Sequence, residues 1–215
     1  MKTIIISGGS LDHKFATAFL SKEKPDCLLA ADRGMDFCRA EQIVPDYIMG
    51  DFDSADPAHV SYYSNCPGVQ MIRFRPEKDD TDMELAVRKA IELGSNQIYV
   101  LGALGGRMDH CLANVHLLKA ALDRGVEMHL VDPQNDICLV SDCCEMKRSE
   151  QYGTYVSFLP FTDQVKGITL TGFRYPLQEY TMNRGTSLGV SNEISHEMAK
   201  VTVQEGILIM IQSKD

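Results

Sequence analysis

The chain has 215 residues, 44% of them hydrophobic and 24% charged, and a net charge of −9 at neutral pH. That length holds one large domain or two modest ones, and the composition excludes a disordered chain. The acidic balance argues against nucleic acid as a partner and suits a protein that recruits divalent cations. The first apolar run, residues 4–6, is too short for a signal peptide, and no later stretch approaches a membrane span, so a cytoplasmic protein without a membrane anchor is expected. The seven cysteines (Cys27, Cys38, Cys66, Cys111, Cys138, Cys143 and Cys144) are odd in number and lack paired zinc-ligand spacing. They read as reduced, buried, small hydrophobes.

In chain order, residues 3–7, 27–31, 46–50, 69–74, 97–102 and 127–131 read as short strands. Between them, residues 12–21, 35–42, 57–64, 81–93 and 109–123 read as helices. The alternation predicts an α/β domain: a Rossmann-like, mostly parallel sheet with helices on both faces. The clearest helix begins at Thr81. Met83, Ala86, Val87, Ala90 and Ile91 form one apolar stripe, Thr81 and Glu84 make a capping box, and Gly94 supplies the stop. Near residue 132 the pattern changes. Residues 137–140, 155–160, 167–171, 199–203 and 207–212 are rich in Val, Ile, Thr and aromatics and are separated by glycine turns, which predicts an all-β sandwich. The expected domains are 1–132 and 133–215, joined at the Asp132-Pro133 pair.

Ligands of open α/β sheets gather beyond the carboxyl ends of the strands. The junctions there are Ser7-Gly8-Gly9-Ser10-Leu11-Asp12, Ala31-Asp32-Arg33-Gly34, Gly50-Asp51-Phe52-Asp53-Ser54, Lys78-Asp79-Asp80-Thr81-Asp82 and Gly105-Gly106-Arg107-Met108-Asp109-His110. Each carries an aspartate, and all five converge on one rim. In an extended segment Asp51 and Asp53 point the same way and reach one cation, and Mg²⁺ takes one or two carboxylates plus water and phosphate. Asp56 before Pro57 reads as a helix cap instead. Asp82, in the first helical turn, fits a dipole role as well as a functional one. Asp79, Asp80 and Asp82 repel one another unless Lys78 or a metal offsets them. The Gly105-Gly106-Arg107 turn before a helix presents N–H groups, a helix dipole and a guanidinium to a phosphate, although double glycines are also ordinary turn chemistry. His110 and Asn114 share the next face. No Walker-type loop is present. The segment from Arg184 to Glu193 fits both a polar pocket wall and a long hairpin connection.

Taken in order and spacing, four of the five junctions, from Asp32-Arg33-Gly34 onward, together with Ser187-Leu188-Gly189-Val190-Ser191-Asn192-Glu193, resemble the thiamine pyrophosphokinases over essentially the whole chain. The resemblance implies an N-terminal α/β domain for ATP and Mg²⁺, a C-terminal β-sandwich for thiamine, and a homodimer with shared active sites. It implies metal and phosphate roles for Asp51, Asp53, Asp79 and Asp82. The nucleotide and phosphate cleft would be built by Asp32, Arg33, Lys78, Thr81, Arg107, Asp109, His110 and Asn114, and thiamine contacts by Ser187, Ser191 and Asn192. Asp51, Asp53, Asp82 and Arg107 are the expected catalytic group. Family members can stack a tryptophan on thiamine; this chain has none, which leaves a tyrosine or an aliphatic side chain. The implied reaction is attack of the thiamine hydroxyl on the β-phosphorus of ATP, with AMP leaving. Another Mg²⁺-dependent phosphoryl or nucleotidyl transferase and a non-catalytic thiamine or nucleotide sensor are the alternatives.

Overall fold

The structure, a computed structural model, describes residues 1–53, 55–75 and 80–215. The chain divides into two compact units, Met1–Pro133 and Gln134–Asp215. In the first, β1 (Lys2–Ile6), α1 (His13–Glu23), β2 (Cys27–Ala31), α2 (Gly34–Ala40), β3 (Tyr47–Gly50), α3 (Pro57–Ser64), β4 (Gln70–Arg73), α4 (Asp82–Glu92), β5 (Gln97–Leu101), α5 (Met108–Leu122) and β6 (Glu127–Val131) follow one another. Every adjacent pair in the order β4-β3-β2-β1-β5-β6 is parallel. The expected elements are all present, with ends moved by one or two residues at most.

Strands covered on both faces become continuous apolar runs. Accordingly Ile4, Ile5 and Ile6 of β1 are fully buried, as is all of β2. The strand order reverses direction between β1 and β5. Right-handed crossovers then put α2 and α3, which touch each other, on one face and the contacting pair α4 and α5 on the other. The stripe of α4 buries Met83, Ala86, Val87 and Ala90, and the Thr81 hydroxyl accepts the Glu84 N–H. Asp56 caps α3 with Pro57 at its first position.

The second unit is an antiparallel sandwich. One sheet runs β7 (Asn135–Val140), β13 (Leu208–Ser213), β9 (Tyr155–Pro160). The other runs β11 (Leu177–Asn183), β10 (Gln164–Thr171), β12 (Met198–Thr202), β8 (Cys143–Lys147). Val156, Phe158, Leu208 and Met210 from the first sheet meet Val165, Ile168, Leu170 and Val201 from the second in one core. Two strands escape the sequence reading, β8 and β11. Both are edges of the four-stranded sheet, and each buries one side chain, Met146 or Met182. An edge strand with one buried residue leaves no alternation to detect.

Among the described residues no helix is long and apolar enough to cross a membrane. All seven cysteines are free thiols, but the expectation that they are buried fails at Cys143, which is exposed, and holds only partly at Cys66, Cys111 and Cys144. Burial pushes the Cys38 thiol up to about 12, and burial with the Asp46 charge pushes Cys27 up to about 11, so both stay protonated and inert.

The first unit is tied at its lower rim by Glu23, whose carboxylate meets Lys2 Nζ at 2.8 Å and Lys22 Nζ at 3.4 Å. Burial raises its pKa, but the two lysines outweigh that and hold it below the ordinary value. A depressed carboxylate stabilises the fold above its unfolded value, about 4.3, and that contribution is lost as pH falls through the folded value. Glu23→Gln should therefore melt about 2–4 °C below the parent protein at pH 7, as about 1 kcal/mol does at this size. The gap should close as pH falls through the depressed folded value of Glu23; a gap independent of pH in thermal melts would refute the linkage.

Candidate active site

The reversal between β1 and β5 leaves a crevice at their carboxyl ends, where doubly wound sheets bind ligands. A cleft of about 810 Å³ occupies it. Ser7, Gly8, Gly9 and Ser10 line it after β1, Asp32 and Arg33 after β2, and Asp51 after β3. Asp80, Thr81 and Asp82 line it at the start of α4, and Gly102, Ala103, Gly105, Gly106, Arg107, His110 and Asn114 after β5. The first and fifth turns meet backbone to backbone: a Cβ on Gly9 would lie 2.3 Å from the Gly102 carbonyl oxygen, so only glycine closes that wall. The β1 turn, expected on the rim as a ligand junction but without individually assigned residues, supplies four lining residues: Ser7, Gly8, Gly9 and Ser10.

Eight of the expected residues meet here: Asp32, Arg33, Asp51, Thr81, Asp82, Arg107, His110 and Asn114. Asp53 and Asp109 do not line the cleft, and Lys78 and Asp79 lie outside the described residues. Ser187, Ser191 and Asn192 belong to the second unit. Asp12 is withdrawn from the rim in another sense, because its carboxylate accepts the Phe15 N–H at 2.8 Å and caps α1.

The geometry corrects the extended pairing of Asp51 and Asp53. Phe52 between them has φ +63°, which folds the chain back, and the Asp53 N–H reaches Asp51 Oδ1 at 3.1 Å. Asp51 faces the cleft half-buried, and Asp53 is exposed. Asp32, at the neighbouring strand end, is also left-handed, with φ +49°. Such a conformation costs a non-glycine residue about 1–2 kcal/mol, least for Asp and Asn, and a bulky aromatic there is rare.

Charge around the cleft is paired. Arg107 precedes α5, whose start has no side-chain cap, and its guanidinium binds Asp109 at 3.1 Å (Nε) and 2.5 Å (Nη2). That hydrogen bond brings the Asp109 carboxyl down to about 2. Asp109 also accepts the His110 N–H at 2.9 Å, so it acts by holding Arg107 and the first helical turn. Asp80 is offset by Arg88 at 3.1 Å, a partner absent from the sequence argument. Asn114 Nδ2 donates to the Ala103 carbonyl at 2.8 Å and ties α5 to the turn after β5. Arg33 lies 3.6 Å from Asp36, whose other oxygen receives His59 Nδ1 at 2.7 Å.

In the second unit, Ser187 and Ser191 are exposed, whereas Asn192 is only 4% exposed. Asn192 Oδ1 accepts the Tyr175 and Glu193 N–H groups at 3.0 and 2.9 Å, and its Nδ2 donates to the Tyr175 carbonyl at 2.7 Å. The side chain is thus a clamp on the loop. Tyr175 itself is 58% exposed, and the Arg174 guanidinium lies 5.6 Å from its ring centroid.

Among the described residues no three histidine, cysteine or acidic side chains gather as a metal cage. The carboxylates that line the cleft, Asp32, Asp51, Asp80 and Asp82, offer oxygen donors, which suit a hard cation completed by water and phosphate.

Comparison with known proteins bears on the same two units. The thiamin pyrophosphokinase catalytic-domain model matches residues 18–130, and the thiamin pyrophosphokinase vitamin B1 binding-domain model matches residues 143–208. Thiamine pyrophosphokinase of Bacillus subtilis (strain 168) is 32% identical over 216 residues, covering all of both chains. The crystal structure of a Bacillus subtilis thiamine pyrophosphokinase superposes with a TM-score of 0.89 at 30% identity, over the whole of each chain. That of Geobacillus thermodenitrificans thiamin pyrophosphokinase gives 0.86 at 33% identity, covering all of this chain and 98% of the other. With a cleft at the reversal of its first unit and matches across both, the chain belongs to the thiamine pyrophosphokinase family.

Proposed function

We propose that this enzyme transfers a pyrophosphoryl group from ATP to thiamine, giving thiamine diphosphate and AMP. The observation that carries this reading is the gathering of four carboxylates (Asp32, Asp51, Asp80, Asp82) and two arginines (Arg33, Arg107) on one 810 Å³ cleft at the strand-order reversal. The start of α5, where the N-cap side chain makes no capping hydrogen bond, and the Arg107 guanidinium receive the phosphates and take up charge that grows as the β-phosphorus is attacked. Arg33 serves the phosphates from the opposite wall, with Asp32, His110 and Asn114 completing the nucleotide cleft and Thr81 fixing the start of α4. Asp51 and Asp82 hold Mg²⁺, with Asp53 and Asp79 as further ligands, and Lys78 assists the phosphates. When bound, Mg²⁺ offsets the triphosphate charge. The acidic rim also attracts thiamine, itself a cation. Transfer of this kind depends chiefly on positioning and electrostatics.

Thiamine is bound by the second unit through Ser187 and Ser191, with Tyr175 in the place of the missing tryptophan. A tyrosine face attracts a cationic heterocycle, a contact worth about 0.5–2 kcal/mol, and the Asn192 clamp holds the Tyr175 backbone. Tyr175→Ala should therefore raise the KM for thiamine roughly 3–30-fold while leaving that for ATP within twofold, measured by initial rates. Exposed apolar side chains stand on both units, Met108 and Leu112 on α5 and Tyr175, Leu188 and Val190 in the sandwich. Such patches mark association surfaces and support a homodimer in which one subunit's rim meets the partner's sandwich. The enzyme works in the cytoplasm.

The test is a chromatographic assay of purified protein with ATP, Mg²⁺ and thiamine. AMP and thiamine diphosphate in equal amounts, dependent on the cation, are expected. ADP with thiamine monophosphate would make it a different transferase, and thiamine binding without turnover would make it a sensor.

A further inference from the structure

We infer that Phe52 is a positioning residue, whose ring, wedged across Gly50, sets the Asp51 carboxylate at the spacing from the Asp32 turn that a cation–nucleotide complex requires. This deepens the reading of the cleft given above and rests on it. Phe52 is left-handed, φ +63°, yet its ring is 7% exposed. A turn that needed only the backbone conformation would take glycine at no penalty or asparagine at a reduced one. A buried aromatic in that conformation persists because its surroundings hold it. Those surroundings are specific. The Arg73 guanidinium at the end of β4 lies 5.5 Å from the ring centroid. A Cβ on Gly50 would lie 3.3 Å from Phe52 Cε1 and 3.2 Å from Asp32 Cα, so the ring and the Asp32 turn both close on that glycine. The Asp32 N–H is in turn bound to the Met49 carbonyl at 2.7 Å. On the cleft side, the reversal at Phe52 brings the Asp53 N–H to Asp51 Oδ1 and fixes the carboxylate's rotation. The ring therefore joins two left-handed, aspartate-bearing turns on adjacent strands into one rigid unit.

The experiment is calorimetric titration of a non-hydrolysable ATP analogue into the parent protein, Phe52→Gly and Phe52→Leu, with Mg²⁺ and again with EDTA, with circular dichroism reporting folding. Glycine satisfies the left-handed backbone and deletes the ring. Phe52→Gly should lose at least tenfold of the Mg²⁺-dependent affinity, with affinity in EDTA unchanged within twofold. Phe52→Leu, which keeps the burial, should lose at least threefold of the same component. Equal losses in Mg²⁺ and EDTA, or none, overturn the inference. Should Phe52→Gly fail to fold, the same comparison on Phe52→Leu decides it. Absence of Mg²⁺-dependent binding in the parent protein would overturn the reading of the cleft itself, and this inference with it.

Discussion

Asp51→Asn should lower turnover about 10²- to 10³-fold, the loss expected when a preorganised charge is removed from a reacting phosphate group, and should leave the fold intact. The substitution is nearly isosteric and keeps an oxygen to accept the Asp53 N–H, now at 3.1 Å from Asp51 Oδ1. What disappears is the negative charge on a half-buried wall of the cleft. Turnover measured over a range of Mg²⁺ concentrations, beside thermal melts, separates this from unfolding; a melting temperature well below that of the parent would make Asp51 a structural residue. Asp53→Asn belongs in the same series. Its exposed carboxylate lies off the cleft wall, so equal losses at both positions would place both in the cation's shell, whereas a much smaller loss at Asp53 would leave Asp51 as the ligand from this turn.

Asn192→Ala should act in the opposite manner, on stability first. Three hydrogen bonds end on this 4%-exposed side chain, two of them from backbone N–H groups. Removing it strands the Tyr175 and Glu193 backbone groups, at about 1–3 kcal/mol for each one left buried and unpaired. A fall of roughly 5–10 °C in melting temperature is expected. A rise in the KM for thiamine should accompany it, because the backbone that carries Tyr175 loses its anchor. Asn192→Asp keeps both acceptor contacts and loses the donor to the Tyr175 carbonyl, so its effect should be intermediate. An unchanged melting temperature with a raised KM would return Asn192 to the role of direct ligand.

The parallel sheet was legible because its strands are buried on both faces. Stretches such as Cys27–Ala31 carry no polar residue and end in glycine or aspartate turns. From those turns the rim followed by topology, and eight expected residues line one cleft. What the sequence concealed has a common physical origin in local backbone geometry and tertiary partners. The alternation argument for Asp51 and Asp53 presupposed an extended chain, and Phe52 takes the left-handed region that a bulky residue ordinarily avoids. Arg88 reaches Asp80 across two helical turns, a pairing invisible before the helix is built. Asn192 was implied as a thiamine contact by the family resemblance, and only the fold reveals its three hydrogen bonds to the Tyr175 and Glu193 backbone. The edge strands β8 and β11 show that sheet membership can rest on backbone pairing with hardly any side-chain pattern.

The left-handed residues have a further consequence for anyone who would make this enzyme more robust. Lys24 and Gln42, φ +47° and +57°, follow the ends of α1 and α2 and do not line the cleft. Relief of their conformational penalty touches nothing the reaction uses. Asp32 and Phe52 carry the same penalty at the rim, where it fixes the carboxylates. Heat tolerance and catalytic competence are thus written into separate places on the backbone, and a thermostable variant can be sought at the helix ends with the two strand-end turns left alone.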